Sequence, residues 1–419
     1  MLFNNKLIII ALIIWFGCFS GNYIIMGVGI YPPLFLSIFG YILIIKNKKL
    51  PKYSLFFLNI SWIYILLFSI SYLYNQEYFN VFIIEIRYVV KAILIPLGTS
   101  LLLLHLFKKY NIQKNEIAFS VIIAISLQFI LILLQLTNDS FREWFFSYLS
   151  LSDGWMHFVK IGHFRTVGLS GLSIYDTALA YTLLFGLTIY LTDNKYNSLM
   201  IWTFGTAMFF IIILLSGRSG LTIFLVLLIF ILLNINNKLK IYSSLFLVTI
   251  ITFFIISVYV DYEKIELFFR FAFELFTNDS NSFESASTND FLENHLFIPW
   301  DVNPYFGDGV IAQPSISIDI GYQYSTDSGY LLSFISLGII GLLLSLIMTY
   351  KVINAYFISY FYHFKTTILN VFFKTFISIL IILIFFKGII FFSDKFMPVV
   401  ILIFMVNHYL SNRRFVSKI

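Results

Sequence analysis

The feature that most constrains this chain is its succession of apolar stretches, each about as long as a membrane-spanning helix and separated by polar turns. A span takes about 20 predominantly apolar residues, and inside hydrocarbon the backbone polar groups have to be satisfied within the segment itself. Of 419 residues, 60% are hydrophobic and only 11% charged, with a mean hydropathy of +0.90. Average soluble domains carry roughly 25% charged residues. One core at this length cannot bury so much apolar surface, so a soluble globular protein is excluded. Disorder goes with low hydrophobicity and is excluded too. A porin-type barrel alternates apolar and polar residues along each strand, whereas these runs stay apolar over whole helix lengths.

The pattern places helices at 6–20, 23–45, 53–74, 79–106, 116–137, 170–192, 198–216, 219–235, 241–260, 328–350, 368–386 and 396–411. The expected fold is an all-α polytopic integral membrane protein, one membrane-embedded domain over 1–419 with about 12 transmembrane helices. Two boundaries read as tight helical hairpins, at Gly21-Asn22 and at Ser216-Gly217-Arg218-Ser219-Gly220, because Gly accepts backbone angles that other residues avoid. Lys6 followed by an apolar run could pass for a signal peptide. Further spans follow, so it reads as a retained first helix. The single cysteine, Cys18, lies inside this run; it excludes an internal disulfide framework or thiolate cage and reads as a small packed residue.

Net charge is +6, yet no dense basic run interleaved with aromatics points to nucleic acid. The basic residues fall in short turns, as the positive-inside rule requires. With the N-terminus in the cytoplasm, Lys46, Lys48, Lys49, Lys52, Lys108, Lys109, Lys114, Lys195, Lys238, Lys240, Lys351, Lys365, Arg413, Arg414 and Lys418 all fall inside. The C-terminus is then cytoplasmic as well. The two long polar segments, 138–169 and 261–327, face the other side and carry most of the acidic residues. Every cytoplasmic loop is too short for a nucleotide-binding domain, and there is no phosphate-binding Gly-Lys-Ser/Thr loop. Long loops in a compact protein are usually functional, so the work is expected on the outer side.

Several residues could carry chemistry there. Ionisable groups within spans are costly and are functional candidates by default; Glu85, Arg87, Lys91, Asp176, Lys374 and Lys387 are of this kind. Arg87 and Lys91 share a helical face. They read either as partners of Glu85 or snorkelling cations, or as a slot for a lipid phosphate. Lys160, His163 and Arg165 precede Gly168 and Gly171 at the mouth of the sixth span, where a guanidinium fork and a helix N-terminus both suit an anion. Arg218 sits in the LLSGRSGL hairpin, as a turn-capping or an anion-binding residue. The second long segment holds NPYFGDGV, with Asp308, and then TDSGYLLSFISLGIIGLLL, with Asp327, Ser328 and Tyr330. Asp327 is either an N-cap or a carboxylate able to take a proton from a sugar hydroxyl. Gly338 and Gly341 suit close packing. The six histidines show no metal spacing and no HExxH. Aromatic residues of the outer loops, such as Trp144, Trp155, Trp300, Tyr322 and Tyr324, suit either sugar stacking or a membrane-interface belt.

Three segments together, FRTVGLSG leading into Ala178-Leu179-Ala180, LLSGRSGL, and NPYFGDG…TDSGYLLSFISLGIIGLLL, resemble the O-antigen polymerase (Wzy) family of bacterial inner-membrane proteins, related to the O-antigen ligases. The resemblance implies a multi-pass glycosyltransferase with a periplasmic active site and no cofactor or metal. Its substrates would be undecaprenyl-pyrophosphate-linked oligosaccharides, and its other partners membrane lipids and a chain-length regulator. The growing glycan would pass en bloc to a newly flipped repeat. Carried over, the pyrophosphate-binding role falls to Arg165 and Arg218, with Arg270 in FFRFAFELF as a weaker candidate; Asp327, beside Tyr330, departs from the pattern and is either a chemical replacement for the ligases' histidine, taking or orienting the acceptor proton, or structural. In the ligases the segment matching TDSGYL carries His; Asp327 stands there here, which favours polymerase over ligase. The alternatives are a ligase acting on lipid A core and a lipid-linked oligosaccharide flippase or transporter.

Overall fold

In the computed structural model the described residues are 5–48, 50–75, 79–151, 156, 159–160, 168–170, 175–192, 198–234, 293–311, 322–360, 367–386 and 393–416. They are mostly helical. The order is α1 (Asn5–Phe19), a hairpin of β1 (Tyr23–Ile25) and β2 (Val28–Ile30), α2 (Pro32–Asn47), α3 (Lys52–Asn75), α4 (Phe79–Val89) and α5 (Ile95–Lys109). Then come α6 (Lys114–Thr137), a short α7 (Asp139–Ser147), α8 (Tyr175–Leu191), α9 (Ser198–Ser216), α10 (Arg218–Asn234), α11 (Gly329–Tyr360), α12 (Thr367–Phe386) and α13 (Phe396–Val416). A π-helical turn, Val90–Leu94, joins α4 to α5. Four helical stretches, Lys52–Tyr74, Val81–Lys109, Lys114–Thr137 and Gly329–Ile358, are long and apolar enough to cross a membrane. The span expected at 241–260 lies outside the described residues.

The helix expected to start at residue 23 starts later. Tyr23 pairs with Ile30 and Ile25 with Val28 around Met26 and Gly27, whose φ angles are 52° and 76°. Two consecutive positive φ values make the two-residue turn that matches strand twist. Pro32 and Pro33 then open α2, where a missing N–H costs nothing. The other expected hairpin holds: Gly217 alone separates α9 from α10.

The surface is apolar where a soluble helix would be polar. Phe35, Ile38, Phe39, Ile42 and Ile45 form an exposed stripe along α2, and Ile339, Leu343, Leu346 and Ile347 another along α11. Buried instead are Gln128, Gln135, Thr182, Glu85, Asp176 and Lys395, each hydrogen-bonded: Gln128, for example, joins Trp15 and Tyr181. A contiguous exposed apolar face of this kind marks contact with lipid or protein. Between helices in lipid, small residues allow close approach. A Cβ on Gly40 would overlap the Gly98 carbonyl, and one on Gly98 would overlap Ser37, so α2 and α5 meet backbone to backbone.

Contacts between helix ends fix which ends lie together. At one end Lys6 pairs with Glu116 at 2.9 Å, Tyr409 donates to Phe107 and Ile112 carbonyls, and Arg413 reaches Asn111 and Ile112. This terminal end gathers both ends of the chain. At the opposite, loop end, Ile24 N–H bonds Tyr148 O, Tyr23 Oη donates to Leu169 O and Lys395 donates to Ser20 O.

α11 is not the single span the hydropathy suggests. Leu337 (φ −138°, ψ 17°) and Gly338 (φ 61°, ψ −150°) leave the helical region. The Tyr330 and Thr349 hydroxyl oxygens lie 3.4 Å apart, although 19 residues of straight helix span about 28 Å. A Cβ on Gly341 would overlap the Ser333 carbonyl. Residues 329–336 therefore double back against 339–360. Gly341 does serve close packing, against its own hairpin. The NPYFGDG loop fills the break: Asp308 N–H bonds Ile335 O at 2.7 Å, Gly309 N–H bonds Ser336 O at 3.0 Å, and Ile339 N–H bonds Pro304 O at 2.9 Å. Non-helical backbone at membrane depth persists only where protein buries it or it lines a wet cavity; here the loop supplies the partners the helix lost.

Candidate functional site

α4 lies between two polar groupings at the loop end. Glu85, 1% exposed, accepts the Ile311 N–H at 3.1 Å and so anchors the chain that leaves the NPYFGDG loop. Among the described residues it pairs with neither Arg87 nor Lys91, which removes the salt-bridge reading of that trio. Arg87 is exposed. Lys91 stands in the π-helical turn, its Nζ 5.2 Å from the Tyr31 ring centre. π-Turns inside helices occur frequently at functional sites.

A third cation joins them from the start of α13. Lys395 is 7% exposed and donates to Ser20 O at 2.8 Å and to Asp394 at 3.4 Å. Arg87, Lys395 and Asp394 all act electrostatically on Lys91. Ser393 Oγ donates to Asp176 Oδ2 at 2.6 Å and accepts the Lys395 and Phe396 N–H groups, so it caps α13 and ties it to the first turn of α8. The grouping holds three cations against two carboxylates, Asp176 and Asp394. The sequence reading found Arg87, Lys91 and Asp176 but missed the Ser393-Asp394-Lys395 run. Its signal was a charged pair opening an apolar helix.

The second grouping is the broken helix. Asp308 is held on both oxygens, accepting from Asn303 N–H at 3.2 Å and from Tyr322 Oη at 2.6 Å. Phe306 leans on Tyr74 near the end of α3, ring centres 6.3 Å apart. Tyr330 is buried against Thr349. Asp327 is partly exposed and does not cap the helix. Thr326 Oγ1 takes the Ser328 N–H at 3.0 Å, the helix starts at Gly329, and Asp327 makes no hydrogen bond or ion pair among the described residues. The capping reading of Asp327 is thereby set aside. The structure thus brings Asp308, Asp327 and Tyr330 into one folded unit.

Arg165, His163 and Arg270 lie outside the described residues. Arg218 opens α10. Two residues on, a Cβ at Gly220 would overlap Ala178, and Thr182 Oγ1 donates to Gly220 O at 3.2 Å. The LLSGRSGL hairpin therefore rests against the entrance of α8. Gln135 clamps Gly168 by both its amide atoms, Oε1 accepting its N–H and Nε2 reaching its carbonyl, which fixes the chain three residues after Arg165. One further arginine of the loop end escaped the sequence reading: Arg142 on α7 is 2% exposed and pairs with Asp139 at 2.8 Å. Among the described residues no group of three or more His, Cys, Asp or Glu side chains is gathered as a metal site.

No protein-family model matches the chain, and no curated protein or solved structure matches it significantly.

Proposed function

We propose that the protein is a membrane-embedded glycosyltransferase of about twelve spans, lying in a bacterial inner membrane with both termini in the cytoplasm and 138–169 and 261–327 in the periplasm. More particularly, we infer that it is a surface-polysaccharide polymerase of the O-antigen type, moving a growing glycan from undecaprenyl pyrophosphate onto a new lipid-linked repeat. The observation that carries this reading is the broken α11. The NPYFGDG and TDSGYLL segments that bear the family resemblance are the ones folded into it, and Asp327, without a partner among the described residues, lies at the same end as Arg87, Lys91 and Lys395. The sidedness follows from Lys6, Lys46, Lys108, Lys109, Lys114 and Arg413 at the terminal end.

In this reading Arg165 and Arg218 bind the pyrophosphate, with Arg87, Lys91 and Arg270 lining its path. Guanidinium forks suit phosphate oxygens, and fixed cations stabilise the charge that grows on the leaving group. Asp327 receives the acceptor proton, and His163, Asp308 and Tyr330 frame the acceptor. Purified protein in detergent, given lipid-linked repeats, is expected to make longer chains with no membrane to cross. Unchanged repeats would overturn the reading. A transporter is the second reading, since broken half-helices also build transporter sites; it would move repeats across vesicles and lengthen none. Labelling tests the sidedness. Cys18 is buried, so a reagent applied from outside is expected to modify Ser285→Cys and Trp300→Cys but not Ser411→Cys. The reverse pattern would invert the topology.

A further inference from the structure

The start of the doubled-back half-helix is an unusual place for a hydroxyl. Its tip, at Leu337 and Gly338, meets Tyr305, and Phe306 beside it leans on Tyr74 near the end of α3. Residues 329–336 run back from that tip by about 12 Å. The first-turn N–H groups of a helix have no partner within it, and they make this end locally positive. Ser328, the residue before the helix, is 1% exposed, and its Oγ makes no hydrogen bond among the described residues. A Ser in this position ordinarily spends its Oγ on a first-turn N–H. Here it does not, and leaving a buried hydroxyl unsatisfied is destabilising. Next to it, Asp327 offers a partly exposed carboxylate that is equally unengaged among the described residues.

These features select a ligand. An anion would be drawn by the helix end but repelled by Asp327. A cation would be drawn by Asp327 but repelled by the helix end and would find no acceptor in its N–H groups. A neutral group that both donates and accepts satisfies both sides. We propose that Asp327, Ser328 and the first turn of 329–336 form a site for a sugar hydroxyl, with Ser328 as the positioning residue. Ser328 Oγ–H, at the positive helix end, donates to one lone pair of the hydroxyl oxygen, the hydroxyl proton points at Asp327, and the second lone pair stays free.

Resting on the polymerase reading, this hydroxyl is the acceptor's nucleophile. Its oxygen forms the new bond to the anomeric carbon of the donor glycan as the anomeric C–O bond to pyrophosphate breaks. The bonding pair leaves with undecaprenyl pyrophosphate, and the hydroxyl proton passes to the Asp327 carboxylate. Ser328 keeps its own proton throughout.

The test uses Ser328→Ala and Ser328→Thr in the full-length protein in detergent. The probe is the free oligosaccharide released by mild acid from the cells' own lipid-linked repeats. Hydrogen exchange over 322–336 is expected to slow when the oligosaccharide is added to the wild type and to Ser328→Thr. In Ser328→Ala the half-saturating concentration is expected to rise about five- to tenfold, the equivalent of one neutral hydrogen bond, while the melting temperature stays equal or rises because an unsatisfied hydroxyl has gone. Absence of protection in the wild type, or equal protection in Ser328→Ala, would overturn the site, as would a lower melting temperature with unchanged binding. Chain extension by the wild type in the same preparation is read separately. Its failure would remove the polymerase reading and leave the hydroxyl site standing or falling on the exchange data alone.

Discussion

The α2–α5 contact and the α11 break are both built on glycine, for opposite reasons. Gly40 and Gly98 both lie inside α-helical segments. Glycine only removes side chains so that two complete backbones can touch. At Gly338 the backbone itself is irregular, with φ at 61°, and its orphaned groups are satisfied by a distant loop, 304–309. The first arrangement holds helices together and offers nothing polar. The second costs regularity and leaves Asp327 and Ser328 with capacity unspent. Irregular backbone tends to be retained where function needs it.

Matched substitutions separate the two regions. Gly40→Leu drives four carbons into the Gly98 backbone, which has no room to yield, and overpacking of this sort exceeds the usual 1–3 kcal/mol for a core. The expected result is loss of the protein from the membrane, read by immunoblot. Gly338→Ala adds one carbon at a strained φ, about 1–3 kcal/mol, and meets Tyr305. Here the protein is expected to accumulate while chain extension collapses. Equal loss of protein from both variants would erase the distinction drawn between scaffold and site.

Next in size are the arginines. Arg165→Ala and Arg218→Ala are each expected to abolish polymer at normal membrane levels, with Arg→Lys restoring little because Lys lacks the bidentate fork. Near-normal polymer from both Ala variants would remove the pyrophosphate assignment. The smallest effect sharpens the role of α4. Glu85→Gln keeps an acceptor for the Ile311 N–H and is expected to be nearly neutral. Glu85→Leu leaves that N–H buried and unpaired, a loss of about 1–3 kcal/mol, visible as a lower melting temperature. If Glu85→Gln were instead as damaging as Glu85→Leu, the charge, not the anchor, would be what matters.

How much of this was legible in the sequence follows from which forces act locally. Hydropathy located the helices because apolar length is a local property: 53–74 became Lys52–Asn75 and 116–137 became Lys114–Thr137. It missed the β-hairpin at 23–30, since Tyr-Ile-Ile-Met-Gly-Val-Gly-Ile is as apolar as a helix and only the Met26-Gly27 turn reveals it. It also missed the doubling back of α11. Gly338 lies in an apolar run, and what breaks the helix there is the arrival of Pro304, Asp308 and Gly309 from a loop some thirty residues away. Of the site, the motif residues Asp308, Asp327 and Tyr330 were singled out from the sequence; Asp308 N–H bonds the half-helix at Ile335, and Asp327 and Tyr330 flank its start. Lys395 was not, because its acceptor Ser20 O lies 375 residues away and only folding brings it near; the adjacent Asp394 was the one local signal. The N-cap alternative for Asp327 looked sound from spacing alone. It gave way because the helix starts at Gly329, one residue later than an Asp327 cap requires, and Asp327 accepts no N–H among the described residues.

That last point makes one substitution decisive. Because Asp327 caps nothing, Asp327→Asn preserves shape and removes only charge and proton affinity. Purified Asp327→Asn protein, at wild-type membrane levels and with the wild-type melting temperature, is to be given lipid-linked repeats and its products resolved by length. The expected result is a fall in extension rate of about 10²–10⁴-fold, the range for loss of a general base. Extension at the wild-type rate would contradict the claim that the broken helix presents the reacting carboxylate.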